Sequence, residues 1–368
     1  MAQRNSVISI IKGLAIILMV VGHAEAPELI TNFIYTFHMP VFFICAGYFF
    51  SRKYVSDPWS FISKRFRGLY LPFLKWSIVF LVLHNLFFEI GLLNEDYGNW
   101  TGGVTHPYSF STAMRRLALI VTSMSGYDEF LAGAFWFFRG LLVASIAFLV
   151  IYRLLIGRLT EGRAVTFICL SAVGFVAFRL AFDFKIATIP NGGLRETWGL
   201  FFFGVGVLFR RYEHIIREHW ALALAYFTLL CGAAWLHLSG MNNAARWRDL
   251  WSLPVTGTIG FLFLHWIAGA IDGRQSKMRD LLVFIGDNTL YVFIFHIISF
   301  KAVSLLKVWW YGLDPGQIGC HMVIHYNHTD FFWVLYSIAG VALPLLGLSL
   351  YRSLKARRLR AVEPDAEA

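Results

Sequence analysis

Run after run of about twenty mainly apolar residues leaves this chain very few folds to choose from. A helix of that length matches the hydrocarbon thickness of a bilayer and satisfies its own backbone hydrogen bonds there. Such runs cover residues 6–25, 30–51, 69–92, 134–152, 164–182, 196–209, 220–238, 251–271, 281–300 and 331–351. Only 15% of the 368 residues are charged and 58% are hydrophobic, against about 25% charged in a soluble domain. The chain therefore lacks the polar residues to cover a water-facing surface. The expected fold is an all-α integral membrane protein, a polytopic bundle of about ten transmembrane helices. The sixth run is short and glycine-rich, so a tilted or interrupted element is expected there. No polar stretch is long enough for a fused soluble domain. Residues 1–351 read as one transmembrane domain and 352–368 as a short basic-then-acidic tail.

The charge distribution orients the bundle. With the N-terminus in the cytoplasm, the cytoplasmic segments hold 20 of the 32 Lys and Arg, the outer segments 8 and the spans 4. The positive-inside bias then puts both termini in the cytoplasm. Because the cations sit at span ends, the net charge of +10 reads as membrane anchoring, and nucleic acid is not an expected partner. Ala24-Glu25-Ala26 resembles a leader cleavage site, but Pro27 follows and Lys12 interrupts the apolar run, so an uncleaved first span is expected. The four cysteines have no metal or redox spacing. His321, His325 and His328 cluster in an outer loop without a carboxylate framework beyond Asp330, and no metal is expected. Trp100, Tyr108, Trp309, Trp310 and Tyr311 suit an interfacial belt, and equally a sugar platform.

Ionisable residues inside apolar runs are costly and mark function. Lys12 and His23 stand eleven apart in the first run, within about 20° on one helix face and about 16 Å apart along the axis. The stripe has a cation near the cytoplasm and an imidazole near the outer face, where it can serve as a general base; a histidine bonded within the bundle is the alternative. His38, beside Pro40 at the outer start of the second span, is expected at a similar depth, as an orienting partner for His23 or as a simple cap. Lys64, Arg65 and Arg67 open the third span and suit a phosphate, though anchoring alone explains such a cluster. Arg139 follows the aromatic stretch Phe135-Trp136-Phe137-Phe138, and Asp287-Asn288 read as a helix N-terminal signal leading to His296. No P-loop, dinucleotide fingerprint, serine elbow or zinc spacing occurs.

Taken together, these pieces resemble the membrane acyltransferase-3 family, and most of all its fucose 4-O-acetylase-related O-acetyltransferase branch. The resemblance runs from Asn5 to Tyr351 and rests on Lys12-x10-His23, Phe37-His38-Met39-Pro40-Val-Phe-Phe with Gly47-Tyr48, Trp136-Phe137, and Ile285-Gly286-Asp287-Asn288-Thr289-Leu290 ending at His296. It implies an acyl-CoA donor, by default acetyl-CoA, on the cytoplasmic side. It also implies a hydroxyl of a cell-surface or lipid-linked glycan as acceptor, and a bacterial cytoplasmic membrane as location. His23 maps onto the family's catalytic histidine, with His38 as the expected partner. Lys12, Lys64, Arg65 and Arg67 are the expected donor contacts. Here the family's Arg-x-x-Arg motif is replaced by Lys64-x-x-Arg67. Trp136, Arg139, Asn288 and His296 are the expected acceptor contacts. A proton-coupled transporter using the same histidines is the other reading of the intramembrane groups; the lack of inverted halves disfavours it.

Overall fold

The structure, a computed structural model, describes residues 5–97, 105–186, 190–216, 219–238, 240–241, 245–323 and 329–362. Among these, the chain is helical and without strands. In chain order the helices are α1 (Ser6–His23), α2 (Glu28–Tyr35), α3 (His38–Tyr48), α4 (Pro58–Arg65), α5 (Leu71–Glu89), α6 (Phe110–Ser123) and α7 (Trp136–Leu155). They are followed by α8 (Glu161–Phe182), α9 (Leu194–Tyr212), α10 (Trp220–Trp235), α11 (Asp249–Asp272), α12 (Lys277–Asp287), α13 (Thr289–Tyr311) and α14 (Phe332–Val362).

Eight helical stretches among the described residues are long and apolar enough to cross a membrane. Large aliphatic side chains such as Val82, Leu170 and Leu346 stand more than 60% exposed on their outer faces. An apolar belt of that kind is unfavourable in water and ordinary in lipid. The remaining two expected spans fall on α9 and α10. In α9, Arg195 and Glu196 in the first turn and Arg210 and Arg211 in the last leave a short apolar run, and α10 is only 16 residues long.

Several boundaries differ from the sequence reading. The second span is broken: Phe37 leaves the helical region at φ −145°, so α2 ends and α3 begins anew at His38. The third span starts earlier, at Pro58, where Asp57 caps the helix through Ser60 N–H, and passes through a π-helical turn at Phe66–Tyr70. The ninth is split at Asn288, whose ψ of 20° ends α12 and starts α13. Because α13 continues to Tyr311, Lys301 and Lys307 belong to a helix rather than to an outer loop, and both are buried.

Two helix pairs approach backbone to backbone. On α1 and α12, a Cβ at Gly286 would run into the Ser9 carbonyl, and one at Gly13 would press on the Leu282 carbonyl. On α3 and α9, Gly47 meets the Phe203 carbonyl and Gly206 the Ile44 carbonyl in the same way. Small residues at membrane helix crossings permit this approach. Around these contacts the core forms two aromatic-rich bodies, one on α3, α7, α8 and α9 and one on α1, α5, α7 and α13.

Candidate active site

His23 closes α1, and its Nδ1 lies 2.8 Å from Nε2 of His296 on α13. The rings stack at 5.1 Å between centroids and 24° between planes. His296 Nδ1 faces two backbone carbonyls, Phe293 at 3.0 Å and Val292 at 3.1 Å. Carbonyls only accept, so this nitrogen donates. With both rings neutral, His296 Nε2 then accepts from His23 Nδ1–H, and His23 Nε2 keeps its lone pair. Neither ring is hydrogen-bonded to a carboxylate among the described residues. His296 is buried, and His23 is partly buried. The fold thus fixes one tautomer of His23 and leaves its basic nitrogen the accessible one.

The partner that the structure gives His23 is His296, not His38. His38 Nδ1 donates to the Ile34 carbonyl at 3.0 Å, and its ring lies against Tyr35. The break between α2 and α3 supplies that carbonyl, and the sequence reading of one continuous second span hid it.

Below the two histidines lies an apolar cavity of about 150 Å³. Met19 and Phe293, one turn before His23 and His296, line one part of it. Gly68 of the π-helical turn, Thr289 and Phe137 line the rest. Since Gly68 adjoins Arg67 in the chain, the cavity reaches from the turn beside the cation cluster to the turn before each histidine. The three cations themselves diverge. Lys64 is exposed over the Tyr54 ring at 5.4 Å. Arg65 bends inward to the Ala46 carbonyl at 3.2 Å. Arg67 is exposed and borders a groove of about 790 Å³ between α5, α13 and α14, together with Lys75, Trp76 and Tyr291. Lys12 is half-buried on α1.

The expected acceptor residues also separate. Asn288 is used up at the helix break, donating to the Phe284 carbonyl at 2.7 Å and accepting from Arg352 at 2.8 Å. Trp136 is buried with the Arg195 guanidinium 4.5 Å over its ring, so that face offers no sugar platform. Arg139 is buried and donates from Nε to Glu196 Oε1 at 2.8 Å. Of these four, only His296 contacts His23.

A second buried network lies at the His23 end. His84 Nδ1 contacts Asp128 Oδ2 at 2.6 Å, and its Nε2 donates to the His106 carbonyl at 2.8 Å. Tyr108 stacks on His84 at 3.5 Å, so it belongs to this network rather than to an interfacial belt. Asp128 Oδ1 accepts from the amides of Phe130 and Leu131. Lys301 donates to the carbonyls of Ile318 and Cys320, and so fixes the loop that carries His321. His321 packs edge-on to Phe130 and Phe300, and burial pulls its imidazole down to about 3, with His23 and Lys301 adding to the effect. Sequence reading missed His84, Asp128, Glu196 and the burial of Lys301. An ionisable group in an apolar run was the available signal for His84 and Glu196.

Trp309 and Trp310 are exposed, as a belt requires. Trp100, His325 and His328 lie outside the described residues. Among the described residues, no group of three or more His, Cys, Asp or Glu is arranged to hold a metal ion.

A family model described as an acyltransferase domain, acyltransferase-3, matches residues 5–351. The chain belongs to the acyltransferase-3 family. That match covers every element of the histidine pair, the cavity and the cation cluster, and it makes the fold that of a membrane acyltransferase. It also favours acyl transfer over transport for the intramembrane histidines. No curated protein and no solved structure matches the chain.

Proposed function

We propose that this acyltransferase moves an acetyl group from cytoplasmic acetyl-CoA to a hydroxyl of a cell-surface or lipid-linked glycan, as the fucose 4-O-acetylase-related branch implies. The observation that carries the reading is the apolar cavity running from the Arg67–Gly68 turn to the residues beneath His23 and His296. The Arg67 end faces the cytoplasm in a bacterial cytoplasmic membrane. Lys64 and Arg67, exposed and without a carboxylate partner among the described residues, take the donor's phosphates. Lys12 adds positive potential along the α1 stripe, and Arg65 shapes the turn through its bond to Ala46. The pantetheine arm approaches the cavity from the Gly68 side and presents the acetyl group to it.

His23 Nε2 removes the proton of the acceptor hydroxyl as its oxygen attacks the thioester carbonyl carbon. The carbon–sulfur bond breaks, and the imidazolium of His23 returns its proton to the departing thiolate of CoA. His296 holds His23 in the reactive tautomer throughout. His38, bonded to Ile34, supports the helix break beside the site rather than touching substrate.

The test is acetyl-CoA-dependent acetylation of glycan by membranes containing the protein. His23→Ala should lower the rate about 10²–10⁴-fold, the usual contribution of a positioned general base. Unchanged transfer in folded His23→Ala protein would refute the assignment.

A further inference from the structure

The buried pair Arg139–Glu196 is only half made. Nε and Nη2 form the edge of a guanidinium that a carboxylate ordinarily grips with both oxygens. Here Nε holds Glu196 Oε1 at 2.8 Å, while Arg139 Nη2 and Glu196 Oε2 are both buried without a partner. Both side chains are 6% exposed. Arg139 Nη1 is directed elsewhere, toward the Met124 carbonyl at 3.4 Å. Buried polar groups of this kind are ordinarily met by a water or by a ligand group.

The two unused atoms specify what fits. One is a donor and the other a charged acceptor, side by side next to the bond already formed. An ionised carboxylate cannot donate, and an ammonium cannot accept. A hydroxyl does both. The pair also sits at the His23 end of the bundle. Phe138, adjacent to Arg139, packs edge-on to Phe293 at 5.2 Å, and Phe293 lies one turn before His296.

We propose that Arg139 and Glu196 form a hydroxyl-reading subsite for a saccharide acceptor. One sugar hydroxyl donates to Glu196 Oε2 and accepts from Arg139 Nη2, so that a different hydroxyl of the same saccharide reaches His23 Nε2. The inference deepens the acyl-transfer reading and rests on it for the second hydroxyl. It assigns to Glu196 a role in acceptor specificity.

The test uses the full-length protein in nanodiscs, with methyl α-glucopyranoside and methyl α-fucopyranoside as probes. One or both should raise the unfolding midpoint of the native protein and leave that of Glu196→Gln unmoved. In the transfer assay with the same probes, Glu196→Gln should raise the acceptor KM about tenfold, the order expected for one lost charged hydrogen bond. Its KM for acetyl-CoA should be unchanged. If the single variant does not fold, Arg139→Gln with Glu196→Gln keeps the shape without a lone buried charge, and the same KM split is expected. Equal stabilisation of native and variant protein overturns the subsite. So does an unchanged acceptor KM, no stabilisation of the native protein by either probe, or a density map with an ordered water only between the two side chains. Glycoside stabilisation that depends on Glu196, with no acetyl transfer by the native protein, upholds the subsite while sinking the acyl-transfer reading.

Discussion

Replacing His296 by alanine tests the tautomer lock without touching the proposed base, His23. In the native arrangement, His23 Nδ1–H donates to His296 Nε2 at 2.8 Å, and two carbonyls fix the hydrogen of His296 on its other nitrogen. Alanine removes the acceptor. A neutral hydrogen bond contributes about 1 kcal/mol, or about fivefold in the balance between the two imidazole tautomers. The stacking partner at 5.1 Å is lost as well, which frees the ring to rotate, and a reacting atom displaced by about 1 Å can cost about 10²-fold. His296→Ala should therefore lower kcat about 10–100-fold, less than His23→Ala, with little effect on the KM for acetyl-CoA. His296→Gln offers a carbonyl oxygen to His23 Nδ1–H and should recover much of that loss. The assay is acetyl transfer by protein in nanodiscs, with the unfolding midpoint measured alongside. A kcat within twofold of native for folded His296→Ala would refute the lock, as would equal defects in the alanine and glutamine variants.

Other expectations concern the scaffold. Asp128→Ala strands His84 Nδ1–H and the amides of Phe130 and Leu131 in the interior; a loss of about 3–5 kcal/mol is expected from denaturant unfolding, and a loss below about 1 kcal/mol would contradict it. Gly286→Val drives a side chain into the Ser9 carbonyl and should abolish the folded, monodisperse protein, while Gly232→Val, which meets nothing within 4 Å, should be tolerated. Asp314 is held below the usual carboxylate range by the Gly316 amide and then by the Tyr97 hydroxyl. The stability it lends its loop is present above the usual carboxylate pKa and is lost as pH falls through the lowered value. Hydrogen exchange at Gly316 should accordingly stay protected from pH 7 to about 4 and open only in stronger acid; opening near pH 5 would count against that anchoring.

The sequence made the membrane fold legible because lipid imposes a length and a composition on each span. It also singled out His23, since an imidazole in an apolar run is conspicuous by itself. What it could not supply was pairing. His23 and His296 are 273 positions apart, and no local pattern distinguishes that contact from one with His38, only fifteen residues away. The break at Phe37 escaped notice because Thr36 and Phe37 carry no glycine or other turn signal. Lys301 and Lys307 looked like loop cations because a hydropathy count ends a span at its first charge. The structure instead carries α13 on for eleven residues, to Tyr311, and meets those charges with carbonyls and with Asp330, 3.3 Å from Lys307. Glu196 passed unremarked as one acid in a short glycine-rich segment, and its meaning emerged only once Arg139 stood opposite.

The crossing of α1 and α12 has a thermal corollary. Gly13 and Gly286 bring main chain against main chain, and Asn288 closes the break to α13 through Phe284 and Arg352. Side-chain rotamers, which loosen progressively on warming, have little part in setting the register that aligns the two imidazoles. Catalysis should then follow a steady Arrhenius slope up to the temperature at which the bundle itself gives way. A protein whose reactive groups were aligned by interlocking leucines would lose rate gradually, well before it melted.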